Sequence, residues 1–217
     1  MTKIPRPRAV IFDWDNTLVD TWPVIHEALH NTFAEVGRTP WTLEEVKQRV
    51  ARSMRDYFPE LFGDKWQEVG QMYRNHYAAI RLERLKEREG ASDMLAGLSK
   101  KPLYLAVASN KEGKNLRIEA AHLGWEKYFG KLIGAGDTPR DKPAPDPIIA
   151  ALSGSNIAAS SEVWFVGDSE LDMECAAATG CTPIFYGALP QKPLQYPFVS
   201  HVNNHRELSA LFDYALP

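Results

Sequence analysis

Two carboxylates stand two residues apart in Asp13-Trp14-Asp15-Asn16-Thr17, directly after the apolar run Ala9-Val10-Ile11-Phe12. At the end of a buried strand such a pair repels itself and resists desolvation unless a cation or hydrogen-bond donors offset the charge. A solvated turn, with Asp and Asn in ordinary turn positions, would explain the segment without any chemistry. Three further polar clusters weigh against that reading. Ser109-Asn110-Lys111 follows the run 105–108, Asp141-Lys142-Pro143 lies beyond 131–135, and Gly167-Asp168-Ser169-Glu170-Leu171-Asp172 follows Trp164-Phe165-Val166. Each alone has a plain structural explanation: Ser109 or Asn110 as a helix cap, Lys142 as a solvated charge, Asp168 and Ser169 as a second cap. Polar clusters at successive strand ends point instead to one crevice, where the carboxyl ends of a parallel sheet present their groups to a ligand.

Such a crevice requires a particular frame. The runs 9–12, 103–108, 131–135, 163–166 and 182–186 read as buried strands, and helical patterns at 112–123, 145–152, 170–179 and 206–214 lie between or after them. Gly124 and Gly180 serve as helix stops. The alternation implies an α/β fold with a Rossmann-like, doubly wound parallel sheet. It fails between about residues 20 and 90, where apolar and aromatic residues recur at helical spacing. Helices at 27–36, 42–54 and 66–88 are expected there, broken at Thr39-Pro40, Pro59 and Gly63-Asp64. The chain therefore divides into an α/β core, 1–19 and 90–217, and an inserted helical cap, 20–89. So long an insertion at the ligand end of the sheet suggests a lid.

Composition narrows the function classes. Of 217 residues, 44% are hydrophobic and 24% charged, with a formal net charge of −3, which gives no basic surface for nucleic acid. No apolar stretch is long enough to span a membrane, and the segment Met1 to Arg8 lacks the apolar core of a signal peptide. Only Cys175 and Cys181 are present, in apolar surroundings that suit reduced core thiols rather than a disulfide or a zinc site. The expected location is the cytoplasm. Oligomeric state has no signature here.

In order and spacing the clusters resemble the haloacid dehalogenase-like superfamily, within it the phosphatases with a helical C1-type cap similar to phosphoglycolate phosphatases. Asp13-Trp14-Asp15-Asn16-Thr17 matches the first motif, Ser109-Asn110 the second, Lys142 with Pro143 the third, and Gly167 to Asp172 the fourth. The resemblance implies a Mg²⁺-dependent phosphatase acting on a small phosphorylated metabolite. It makes Asp13 the nucleophile and Asp15 the general acid and base. Mg²⁺ would be held by the Asp13 carboxylate, the Asp15 carbonyl and Asp168, hard oxygens suited to that ion, with Asp172 supporting them from behind. Lys142, the Ser109 hydroxyl and the Asn110 amide would bind the phosphoryl oxygens, and Thr17 would orient Asp15 or its loop. Gly167 would allow backbone to approach the ion closely.

Asn16 departs from the family pattern, where glycine is commoner; if the turn needs positive φ, Asn is among the least penalised substitutes. Trp14 should point away from the site into the core. His26-Glu27-Ala28-Leu29-His30 matches the H-E-x-x-H zinc-protease pattern, but Phe33 and Val36 stand where the extended motif needs glycine and histidine. Arg49, Arg52 and Arg55 fall along the cap; a solvated face explains two of them, and Arg52 is the candidate for a substrate anion. The cap aromatics read as packing. Rival functions are a sugar phosphomutase using the same core residues, a phosphonatase using Lys47 or Lys65 as a Schiff base, and a non-catalytic binding module on the same fold. A true dehalogenase would need neither Asp15 nor a metal.

Overall fold

The computed structural model describes residues 4–50, 52–190 and 192–216, so the expectation for Met1 to Lys3 lies outside them. Strand β1 (Ala9–Phe12) is wholly buried and central to a six-stranded parallel sheet of order β5-β4-β1-β6-β7-β8. Its partners are β4 (Tyr104–Glu112) and β6 (Val163–Gly167); β5 (Lys131–Ala135), β7 (Thr182–Tyr186) and β8 (Ser200–Val202) complete the sheet. Alternation along the strands divides the core into two layers. Val10, Phe12, Leu105, Val107, Trp164 and Val166 face α5 (Ala91–Leu98) and α9 (His205–Ala215), along with Leu116 of α6 (Gly113–His122). Ala9, Ile11, Ala106, Ala108 and Phe165 face α7 (Asp146–Leu152) and α8 (Glu170–Thr179). Burying each large aliphatic or Phe side chain stabilises by about 1.5–3 kcal/mol, so both faces of the sheet that carries the polar strand ends are held by apolar packing.

The other connection departs from the core. A two-residue strand, β2 (Val19–Asp20), pairs antiparallel with β3 (Lys86–Glu87), and among the described residues the regular elements between are helical: α1 (Trp22–Glu35), α2 (Leu43–Arg49), α3 (Met54–Phe62) and α4 (Trp66–Arg84). These helices bury their own cluster, with Ile25, Leu29, Phe33, Val46, Phe58 and Tyr77 at its centre. Among the described residues, no helix is long and apolar enough to cross a membrane.

Several boundaries differ from expectation for local reasons. The helix expected at 42–54 ends at Arg49, because Val50 turns extended after the Thr42/Glu45 capping box has set α2, and α3 beyond it was not expected; Ala51, between the two, lies outside the described residues. Pro59 sits inside α3 rather than ending it, and the helix stops at Gly63 (φ 56°). Strand β4 continues to Glu112, carrying Ser109, Asn110 and Lys111 within the sheet instead of beyond it. Helix α5 and strand β8 have no counterpart in the sequence reading: α5 is short and holds Gly97, and β8 is a three-residue edge strand.

Candidate active site

The first acidic motif leaves β1 under tight control. The Asp13 N–H donates to the Val166 carbonyl at 2.8 Å, and Asn16 adopts φ 61°, the left-handed conformation that Asn tolerates. Trp14 points into the core, fully buried and edge-on to Trp125. Asp13 therefore faces the crevice beside the ends of β4 and β6.

Lys142 joins the motifs. Its Nζ lies 2.9 Å from Asp13 Oδ1 and 2.6 Å from Asp172 Oδ1, and its backbone is clamped by Asn110, whose Oδ1 accepts from the Lys142 N–H at 3.0 Å while its amide donates to the Lys142 carbonyl at 3.1 Å. Asp172 Oδ2 also accepts from the N–H and hydroxyl of Ser169, at 3.0 and 2.6 Å. Gly167 has a further reason to lack a side chain: a Cβ there would lie 2.3 to 2.5 Å from the Asp172 side chain, so the missing methyl makes room for that carboxylate. The Thr17 hydroxyl donates to Asp168 Oδ1 at 3.1 Å.

Carboxylate oxygens of Asp13, Asp168 and Asp172 lie within 4.8 Å of one another. Burial pushes Asp13 up to about 6 against the pull of Lys142, with Asp172 and Asp15 adding to the rise. Burial, then Asp13 and Asp172, lift Asp168 well above the usual carboxylate range. Burial alone would lower the Lys142 ammonium, but Asp13 and Asp172 outweigh it and hold it charged. One lysine offsets only part of this negative charge. These hard oxygen donors suit a divalent cation, which would relieve the remaining repulsion.

A second buried lysine, not singled out from sequence, lies beside the other carboxylate. Lys111 Nζ is 2.8 Å from Asp15 Oδ1 and 3.3 Å from Glu119 Oε1, and it donates to the Tyr77 hydroxyl of α4. Glu119 is fully buried in α6, accepting from Tyr77 Oη at 2.7 Å and from Trp14 Nε1 at 2.8 Å. Lys111 follows Ser109-Asn110 directly, which was the available signal; its partners are remote in sequence.

The strand ends open into one cavity of about 540 Å³, walled by Asp13, Asp15, Ser109, Lys142 and Asp168 and by residues of the helical insertion including Trp22, Trp41, Tyr57 and Tyr73. Arg52 lines it, yet its guanidinium forms a bidentate pair with Glu60, both contacts at 2.6 Å, and lies over Tyr57. Arg49 pairs with Glu45 outside the cavity lining, whereas Arg55 crosses to the core and grips buried Asp141 at 2.5 and 2.6 Å. His26 bonds the Trp41 carbonyl, and among the described residues His26 and His30 belong to no metal-binding cluster. Cys175 and Cys181 are buried free thiols.

A family profile described as haloacid dehalogenase-like hydrolase matches residues 10–185. The chain is 28% identical over 199 residues to a phosphoglycolate phosphatase of Pseudomonas fluorescens strain Pf0-1, covering 87% of this chain and 73% of that protein. A haloacid dehalogenase-superfamily hydrolase from Ehrlichia chaffeensis superposes with a TM-score of 0.68 at 31% identity, covering 99% of this chain and all of the other. The haloacid dehalogenase-like protein SP0104 from Streptococcus pneumoniae has the same fold, with a TM-score of 0.84 at 24% identity over 95% of this chain and 99% of its own.

Proposed function

Because the chain belongs to the haloacid dehalogenase-like hydrolase family, we propose that it is a phosphatase hydrolysing a small phosphate monoester through an aspartyl-phosphate on Asp13. The observation that carries this reading is the single polar centre in which Asp13 meets Lys142 and lies beside Asp168, with Asp15 on the same cavity wall. An Asp13 carboxylate oxygen attacks phosphorus, the ester P–O bond breaks, and its electron pair stays on the leaving oxygen, which takes a proton from Asp15. Water then attacks the phosphorus of the intermediate and gives its proton to Asp15. The P–O bond to Asp13 breaks and restores the carboxylate.

Lys142 neutralises the transferring group while Asp172 and Asn110 hold the lysine in place. Ser109, on the same wall, binds a phosphoryl oxygen with its hydroxyl, and Asn110 acts in binding chiefly by fixing Lys142. Asp13 and Asp168, with the Asp15 carbonyl, are the residues that would hold Mg²⁺. When bound, the ion supplies positive charge that lets an anionic nucleophile approach an anionic ester. Thr17 orients Asp168 for that task.

We take 20–89 as the cap and 1–19 with 90–217 as the core. Arg52 stays the candidate for a second anionic group on the substrate, and exchanging Glu60 for that group would be part of its binding. Two buried, unpaired thiols suit a cytoplasmic enzyme. The test is hydrolysis of p-nitrophenyl phosphate with Mg²⁺, with excess chelator, and by Asp13→Asn. Phosphate release that needs both the metal and Asp13 supports the reading; release that survives chelation and substitution refutes it. Isomerised sugar phosphate without phosphate release would identify a phosphomutase instead.

A further inference from the structure

Glu119 is the least expected charge in the molecule. It sits on α6 with no exposure to solvent, where an apolar residue would fill the same space without the cost of desolvating a carboxylate. Its oxygens accept from groups beside the acidic motif: Trp14, between Asp13 and Asp15, and Tyr77, from the cap. Lys111 donates to the Tyr77 hydroxyl and lies within ion-pair distance of both Asp15 and Glu119, so the buried ammonium is set between two carboxylates. With Lys142 holding Asp13, the two lysines divide the two carboxylates of the motif between them.

We propose that Lys111 is a positioning residue for Asp15, itself fixed by Glu119 from the core and Tyr77 from the cap, so that the proton-transfer group is aligned by a contact spanning both. This rests on the phosphatase reading above, in which Asp15 exchanges a proton at each step. The residues that place the nucleophile, Lys142 and the Asn110 clamp, are separate from this set. Disturbing Lys111 therefore disturbs proton transfer and spares attack by Asp13.

The leaving group separates these steps. Nitrophenolate departs with the P–O electron pair and needs no proton, so phosphorylation of Asp13 by p-nitrophenyl phosphate does not require Asp15. Hydrolysis of the aspartyl-phosphate does, because the attacking water must lose its proton. In rapid-mixing experiments on the full chain with Mg²⁺, Lys111→Met is expected to release nitrophenolate in a burst equal to the enzyme present. Steady-state turnover then falls about 100-fold, the scale for a catalytic group misplaced by about 1 Å. Lys111→Arg should recover part of the steady rate. Glu119→Gln and Tyr77→Phe, milder changes that keep shape, should show the same divergence to a smaller degree and serve if Lys111→Met does not fold. Burst and steady rates falling by one common factor in these variants would overturn the assignment, as would a steady rate left unchanged. A wild-type enzyme that hydrolyses no phosphate ester, or an Asp13→Asn variant that keeps full turnover, would overturn the phosphatase reading and this inference with it.

Discussion

Replacing Gly167 with alanine tests how tightly the fourth motif is packed. The new methyl would meet Asp172 Cγ, Oδ2 and Cβ at 2.3 to 2.5 Å, distances that cannot be kept, and Asp172 has no solvent to move into. Overpacking of this kind costs about 1–3 kcal/mol. Displacing the carboxylate also weakens its contact with Lys142, a charge-assisted bond with a net contribution of about 1.5–3 kcal/mol. A combined loss of about 2.5–6 kcal/mol is expected, which for a chain of this size lowers the melting temperature by about 5–24 °C. Turnover should fall as well, because Lys142 loses one of the two carboxylates that aim it. The assay pairs thermal and urea denaturation with p-nitrophenyl phosphate hydrolysis, and Gly97→Ala provides the control. Gly97 lies in α5 with open space where its Cβ would stand, so that change should be neutral or stabilising by about 0.4–1 kcal/mol. A Gly167→Ala protein that melts within about 2 °C of wild type and keeps its turnover would refute the packing argument.

Buried His205 is lowered to about 4 by desolvation, against 6.5 in the unfolded chain. The unfolded state thus binds the extra proton between those values, and stability should fall by up to about 3 kcal/mol as pH drops from 6.5 toward 4. Urea melts across that range should show the slope, and His205→Gln should flatten it. Asn110→Ala releases both backbone contacts to Lys142, so kcat should drop more than KM rises, with about 1–3 kcal/mol lost in denaturation. Arg55→Ala leaves buried Asp141 without its guanidinium partner; faster hydrogen exchange across α3 and the 136–141 loop is expected, and unchanged exchange would count against a cap–core tie at that point.

The strand ends were legible because a central parallel strand is apolar on both faces, so the first polar residue after each run marks the crevice. Asn16 was legible for a related reason, since few non-glycine residues suit φ 61°. What the sequence concealed depends on residues far apart in the chain. Lys111 gains its meaning from Glu119 and Tyr77, and Gly167 from the direction Asp172 takes to reach Lys142. Arg52 and Arg55 look equivalent along the cap, yet one meets Glu60 and the other Asp141 across the crevice. Helix α5 and strand β8 are too short to carry a periodic signal and owe their form to packing against the finished sheet.

The ribbon of β2 and β3 sets the two ends of the helical insertion side by side, Val19 opposite Glu87 and Asp20 opposite Lys86. From the viewpoint of the sheet, the intervening helices amount to a closed loop whose ends already coincide. Their number and length can change without moving either attachment point, and lengthening such a loop adds little closure entropy. A transplanted helical insertion needs to match only two paired residues and the few side chains that reach across, Tyr77 and Arg55 among them.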